Sequence, residues 1–213
     1  MISLRRILAV CLLLMACKLT AAGKVIYPAF IQQKALPTLE QMSKVSVDAT
    51  GDAGQDFLDI QEVWLAYSDS YIYTALKIKG TEFKVSGMFG TQKYSYMVVL
   101  ANPEDDSKVW ALTYIMAPMA KLKPGLFRVE GMDVKDLTRI GNIEYRLDTR
   151  RGILYMACKL SYLLEDPAFA AWFKPYKKPF AVVAQTNLTR ILPYKTGKAD
   201  STYPGARISF KRP

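Results

Sequence analysis

Short segments in which apolar and polar residues alternate predict an all-β fold, a single antiparallel β-sandwich of the jelly-roll-like kind. Turn-forming Gly, Pro, Asn and Asp residues separate these segments, and the sequence has no strand–helix–strand rhythm. Besides one hairpin, the predicted strands cover residues 24–31, 93–100, 109–116, 126–130, 143–147, 153–160, 180–191 and 206–211. Residues 163–174 form the one stretch with the composition of a short helix.

The most regular alternation predicts a β-hairpin within residues 47–79. Side chains at every second position share a face of a strand, so each strand has one apolar face. These faces are Val63, Leu65 and Tyr67 on the first strand, and Ile72, Thr74, Leu76 and Ile78 on the second. A two-residue turn at Asp69-Ser70 brings both faces to the same side, and it puts Glu62 opposite Lys77 as a favourable charge pair.

The same register puts two aromatic residues, Trp64 and Tyr73, on the opposite face of the hairpin. Two arrangements suit such a pair. Either a second layer of the protein covers the rings, or they face solvent and form a platform for a ligand.

Four aspartates and two glycines form the loop before the hairpin. Carboxylates separated by turns can converge on a hard cation such as Ca²⁺, so the four aspartates are candidate metal ligands. They are Asp48, Asp52, Asp56 and Asp59, with Gly51 and Gly54 between them. The spacing differs from that of an EF-hand. The alternative is a turn-rich loop whose Asp side chains accept hydrogen bonds from nearby backbone N–H groups.

Residues 1–22 predict an export signal, with Arg5 and Arg6 before an apolar run and a small-residue cleavage site before Gly23. The apolar run is too short to span a bilayer, so we expect a mature chain, residues 23–213, that is one domain without a transmembrane segment. In the alternative, residues 14–17 form a bacterial lipobox and Cys17 carries a lipid anchor. Both alternatives predict export, to the periplasm or the extracellular space.

Charge and composition argue against several function classes. The formal net charge is +10, but the basic residues are scattered and no nucleic-acid motif is present, so we expect no nucleic-acid partner. The chain contains no histidine, which excludes Ser-His-Asp and Cys-His catalysis and zinc bound by histidine. Cys158 alternates with apolar residues and is expected to be a small buried side chain. We therefore expect no enzymatic activity.

The order of several features along the chain resembles a known superfamily. In sequence order they are Gly51-Asp52, Asp59-Ile60, Tyr71-Ile72-Tyr73, the strand and turn at residues 155–164, and Asp200-Ser201. Over most of residues 45–210 this order resembles the DOMON-like superfamily, which includes the family 9 carbohydrate-binding modules. The resemblance implies an extracytoplasmic β-sandwich that binds sugars or haem on one face, often with structural calcium.

Sugar-binding members of this superfamily hold a sugar between aromatic side chains, so the resemblance predicts a non-catalytic carbohydrate-binding module. No residue matches a sugar-site motif, and the candidates are therefore chosen by chemistry: Trp172, Tyr176, Trp110, Trp64 and Tyr73. Trp172 lies in a proline-rich, basic stretch and is expected to be exposed beside Tyr176, or else to dock the short helix. Trp110 alternates with Leu112 and Tyr114, which favours core packing.

Two other functions remain open at this stage. Haem-binding relatives use Met with His or Lys, and without histidine only Met/Lys ligation is left, with Met97, Met116, Met119 or Met156 as candidates. A methionine in a strand is more often part of a core. The other alternative is a cell-envelope structural subunit that binds another protein through a flat apolar patch.

Overall fold

The computed structural model describes most of the chain as two packed β-sheets. The described residues are 24–32, 34–87, 91–116, 123–130, 137–173, 178–190, 195–202 and 205–211. The predicted signal segment, Tyr176 and Met119 lie outside these ranges.

Strands and two short helices make up the regular structure. The strands are β1 (Ala29–Phe30), β2 (Ser43–Val47), β3 (Ile60–Tyr67), β4 (Tyr71–Ile78), β5 (Ser86–Gly87), β6 (Gln92–Asn102), β7 (Asp105–Ile115), β8 (Gly125–Glu130), β9 (Leu137–Gly141), β10 (Ile143–Asp148), β11 (Ile153–Lys159), β12 (Phe180–Arg190), β13 (Lys195–Ser201) and β14 (Ala206–Ile208). The helices are α1 (Leu160–Leu164) and α2 (Pro167–Phe173).

The described strands form two sheets. Sheet I has the order β1-β3-β4-β11-β10, and β2 also pairs with β3. Sheet II has the order β13-β12-β6-β7-β8-β9, with β14 on β12 and β5 on β6. The strand pairs are antiparallel except for β1 and β3, which run parallel.

One large hydrophobic core lies between the two sheets. Sheet I contributes Val63, Leu65, Ile72, Leu76, Leu154 and Met156, and sheet II contributes Tyr96, Val98, Leu100, Trp110, Leu112 and Val182. Within each strand these residues alternate with residues that point to the outer face, as a pleated strand requires. The predicted all-β sandwich is confirmed.

The predicted hairpin is confirmed in its register as well as its position. Glu62 pairs with Lys77 across β3 and β4, and their charged groups lie 3.9 Å apart. The turn residues are Asp69 and Ser70. The Ser68 hydroxyl fixes this turn, because it accepts hydrogen bonds from the N–H groups of Ser70 and Tyr71 at 3.3 and 3.1 Å.

The predicted helical stretch is two short helices with Asp166 between them. Asp166 Oδ1 accepts hydrogen bonds from the N–H groups of Ala168 and Phe169 at 2.9 and 3.1 Å, which is the contact an N-cap makes at the start of a helix. Pro167 follows at the first helical position, where its missing N–H costs nothing. Among the described residues, no helix is both long enough and apolar enough to cross a bilayer.

Some strands differ from the sequence-based prediction. The sequence predicted no strand in residues 32–46, yet β2 begins inside this stretch at Ser43. β9 and β13 were not predicted. β13 lies at the edge of sheet II and has the polar sequence KTGKADS, so it lacks the apolar alternation that marks a strand with one buried face.

Candidate functional site

Three carboxylates meet where the loop between β2 and β3 reaches sheet II. Asp52 and Asp59 come from this loop, and Asp200 comes from β13. One oxygen from each residue lies within 4.8 Å of the oxygens of the other two. Asp59 and Asp200 are buried, whereas Asp52 is exposed. We call this group the carboxylate cluster.

Backbone hydrogen bonds hold Asp59 in place. Its Oδ2 accepts a hydrogen bond of 2.6 Å from the N–H of Gly51, which has the positive φ of 98° that glycine tolerates. Its carbonyl accepts a hydrogen bond from the N–H of Lys79. The residue is only 1% exposed, and its Oδ1 has no hydrogen-bond partner among the described residues.

Asp200 reaches the cluster from the other sheet. The register of β12 and β13 shifts just beyond the pair Thr186 and Asp200, as at a β-bulge. Asp200 Oδ2 accepts a hydrogen bond of 2.6 Å from the N–H of Ile60. The pKa of Asp200 is raised to about 6, chiefly by burial and also by the negative charges of Asp48 and Asp52, while hydrogen bonds from the backbone N–H groups of Ile60 and Ser201 oppose the rise.

Two of the four predicted metal ligands, Asp52 and Asp59, belong to the cluster. Asp48 lies beside the cluster: burial raises its pKa, as do the charges of Asp52 and Asp59. Its Oδ2 is buried without a hydrogen-bond partner among the described residues. Asp56 does not join the cluster, and its inclusion was wrong. Its side chain is exposed and forms an ion pair of 2.8 Å with Lys79.

Two of the three tryptophan candidates, Trp110 and Trp172, are buried. Trp110 is 1% exposed and packs edge-on against Phe169 in the core, with ring centroids 5.0 Å apart. Trp172 is 6% exposed and its indole N–H donates to the carbonyl of Pro179 at 3.0 Å. The expectation that Trp172 is exposed was wrong. Its alternative role, docking the short helix onto the sandwich, is the one observed, because the side chain belongs to the main core.

Trp64 and Tyr73 lie on the outer face of sheet I, as the hairpin register predicted. A second layer covers them there, so the solvent-facing platform was wrong. Tyr73 is fully buried in a cluster that includes Met42, Leu39 and Leu36 from the N-terminal segment. The ring of Trp64 is partly buried and carries the Lys44 ammonium 4.9 Å from its centroid. Tyr176 lies outside the described residues.

Three of the four methionine candidates for haem ligation, Met97, Met116 and Met156, pack in or against hydrophobic clusters, and Met119 lies outside the described residues. Met97 and Met156 are almost fully buried, and Met156 belongs to the core between the sheets. Cys158 is also buried, and its burial raises the pKa of its thiol to about 12. The thiol is therefore protonated at neutral pH, and this side chain has the character of a small hydrophobic residue.

A cleft of about 420 Å³ lies at the turn of the hairpin, where it meets the start of α1. We call it the Tyr71 cleft. Its lining residues are Lys34, Asp69, Ser70, Tyr71, Lys159, Leu160, Ser161 and Leu164. Sequence reasoning missed it, because the residues come from three separate parts of the chain. Tyr71 appeared only among the features that carried the family resemblance.

The carbonyl of Ser70 accepts a hydrogen bond of 2.8 Å from the N–H of Leu160, which ties the hairpin turn to the first residue of α1. The Tyr71 ring stacks on the buried Tyr73 ring, with centroids 5.8 Å apart and an interplanar angle of 26°. Backbone pairing therefore holds the hairpin turn, and ring stacking holds Tyr71.

Comparison with known proteins gives a distant likeness. No protein-family model and no curated protein matches the chain. It is similar to the structure of a carbohydrate binding module family 9 (CBM9) from Caldicellulosiruptor kristjanssonii in complex with glucose, with a TM-score of 0.41 and 11% identity over 89% of this chain and 97% of that chain. A CBM9 structure from the same organism in complex with cellotriose gives a TM-score of 0.41 and 12% identity over 89% of this chain and 95% of that chain. At this TM-score and identity the likeness carries no assignment of ligand or site.

Proposed function

We propose that the protein is a non-catalytic, extracytoplasmic module that binds a carbohydrate in the Tyr71 cleft. The cleft itself supports this proposal most directly. Its volume of about 420 Å³ falls in the range of small-ligand sites, and one aromatic ring lies beside several hydrogen-bonding groups. A sugar needs both kinds of contact, because its ring has an apolar C–H side and its edge carries hydroxyl groups.

The charged side chains of the cleft are not held in ion pairs with other described residues, although the Lys159 ammonium lies over the Tyr162 ring, 6.0 Å from its centroid. Neither Lys34 nor Lys159 lies within ion-pair distance of a carboxylate of the described residues, and the same holds for Asp69 with respect to cationic groups. The two lysines can donate to hydroxyl oxygens, Asp69 can accept from hydroxyl protons, and the serine hydroxyls can do both.

The cleft is also organised before any ligand arrives. The hairpin turn is held by Ser68 and by the N–H of Leu160, and Tyr71 rests on Tyr73. Binding therefore orders few groups, which reduces its entropic cost.

The remaining parts of the proposal come from the sequence. The absence of histidine leaves no His-dependent reaction for the module to catalyse. The charged start and apolar run of residues 1–22 support export to the periplasm or the extracellular space, with Cys17 as the alternative lipid anchor. Membership of the DOMON-like superfamily belongs to the same proposal and rests on the order of features quoted above.

Replacing Tyr71 with alanine tests the proposal. We expect isothermal titration calorimetry against a panel of mono- and oligosaccharides to detect binding by the unmodified protein. Y71A should weaken that binding at least about 10-fold, because a stacked aromatic ring contributes on the order of 1.4 kcal/mol. Tyr27→Ala is the matched control. Tyr27 is 49% exposed and does not line the cleft, so Y27A should bind as the unmodified protein does.

Two outcomes contradict the proposal. If no sugar in the panel binds, the alternative function as an interaction subunit of the cell envelope is favoured. If Y71A and Y27A weaken binding equally, the ligand site lies elsewhere.

A further inference from the structure

We propose that the carboxylate cluster of Asp52, Asp59 and Asp200 binds one Ca²⁺ ion and so joins the loop before β3 to strand β13 of the opposite sheet. This site is separate from the Tyr71 cleft and does not depend on the carbohydrate proposal.

The unpartnered oxygen of Asp59 is the observation that points to a ligand. Asp59 is 1% exposed, and its Oδ2 is occupied by the N–H of Gly51. Its Oδ1 is buried and has no hydrogen-bond partner among the described residues. Buried polar atoms in native proteins nearly always have a partner, and a buried carboxylate oxygen without one is costly. A cation at the cluster supplies that partner.

No direct ion pair neutralises the cluster among the described residues. No lysine or arginine of these residues lies within ion-pair distance of Asp52, Asp59 or Asp200. The Lys79 ammonium is near enough to interact with the charge of Asp59, but it is paired with Asp56. Asp48, with its own buried and unpartnered Oδ2, adds a further carboxylate nearby. Repulsion between neighbouring carboxylates, two of them withdrawn from water, is relieved by a divalent cation bound between them.

The ligand set favours Ca²⁺ over Mg²⁺. Mg²⁺ demands near-ideal octahedral geometry with bonds of about 2.1 Å. The carboxylates here come from an irregular loop and from a strand of the opposite sheet. Ca²⁺ accepts such irregular ligand sets, and backbone carbonyls or water can complete its shell.

The position of the cluster gives the cation a structural role. The loop already contacts sheet II through two hydrogen bonds, from the N–H of Ile60 to Asp200 and from the hydroxyl of Thr186 to the carbonyl of Leu58. A cation between Asp59 and Asp200 adds a third link between residues that are far apart in sequence. Because the unfolded chain does not hold these carboxylates together, cation binding stabilises the folded state.

Thermal unfolding of the purified protein, stripped of metal with EDTA and dialysed, tests this inference without any sugar present. Adding CaCl₂ to 100 times its dissociation constant should raise Tm by about 5–10 °C. Titration calorimetry should show one Ca²⁺ bound per chain. Mg²⁺ at the same concentration should produce a smaller rise.

Asp59→Asn should abolish the Ca²⁺-dependent rise in Tm, since the amide keeps the shape and the acceptor for Gly51 but removes the charge. Asp56→Asn is the matched control: it removes a carboxylate from the same loop outside the cluster, so D56N should respond to Ca²⁺ as the unmodified protein does. Asp200→Asn repeats the test if D59N does not fold. The inference is overturned if Ca²⁺ leaves the Tm of the unmodified protein unchanged, or if D59N or D200N keeps the full response.

Discussion

Gly152→Ala should lower the free energy of unfolding by about 3–4 kcal/mol. Gly152 lies in the turn between β10 and β11 with a φ of 63°, the left-handed conformation that a side chain disfavours. An alanine Cβ there would come 2.1 Å from the carbonyl oxygen of Gly80 and 2.9 Å from that of Ile78. Both neighbours are backbone atoms, so the turn must move. That movement also weakens the hydrogen bond from the N–H of Ile78 to the Gly152 carbonyl.

Gly54→Ala is the control that separates the conformational cost of a positive φ from the steric clash of the added Cβ. Gly54 also has a positive φ, 71°, but a Cβ there would meet nothing within 4 Å. Its replacement should therefore cost only the conformational part, about 1–2 kcal/mol. Urea unfolding followed by circular dichroism measures both variants. If G152A and G54A lower the free energy of unfolding equally, the Gly80 carbonyl does not clash with a Cβ at position 152, and the prediction is contradicted.

Asp166→Ala should lower the free energy of unfolding by about 3 kcal/mol, because this side chain makes two kinds of contact at once. One oxygen caps α2, and the other forms an ion pair of 2.9 Å with Arg128 of sheet II. The Asp166 side chain is almost fully buried, whereas Arg128 keeps some access to water. The loss therefore falls at the low end for a broken buried pair.

Asp166→Asn separates the cap from the charge. Asparagine is as good an N-cap as aspartate, so D166N should keep the cap, lose the ion pair and cost about half as much as D166A. Burial raises the pKa of Asp166, but hydrogen bonds from Arg128 and from the N–H of Phe169 outweigh it and leave the pKa lowered. The stabilisation by the charged form is therefore present at neutral pH and is lost as the pH falls through the lowered pKa. Urea unfolding at neutral and acidic pH measures this, and a D166N loss equal to that of D166A would contradict the capping role.

Local pattern was enough to predict the parts of the fold in which each strand has one face in the core. The hairpin of β3 and β4 was predicted with its turn and with the pairing of Glu62 and Lys77, because a shift by one residue would put its apolar faces in water. β2 was missed because its sequence, SKVSV, buries Val45 alone.

The burial of the aromatic candidates could not be predicted from local sequence pattern, because it depends on distant parts of the chain. Alternation put Trp64 and Tyr73 together on the outer face of the hairpin. It could not show that Leu36, Leu39 and Met42 cover that face. The basic and proline-rich sequence around Trp172 suggested exposure, yet burying this ring docks α2 onto the sandwich.

Two of the three residues of the carboxylate cluster were predicted from the sequence. Asp52 and Asp59 were candidate ligands from their spacing, but Asp56, three residues before Asp59, turns outward to Lys79. Asp200 was missed as a ligand because it is far from the loop in sequence and lies in the unpredicted strand β13. The one signal that could have found it was Asp200-Ser201, already quoted for the family resemblance.

The central claim is that a carbohydrate binds in the Tyr71 cleft, and amide chemical shifts measured by NMR test it most directly. On titration with a sugar from the binding panel, we expect the largest shifts at the amides of Ser70, Tyr71, Lys159, Leu160 and Ser161, which line the cleft. Shifts concentrated on another surface, such as the outer face of sheet II, would contradict the claim, as would a spectrum that no sugar changes.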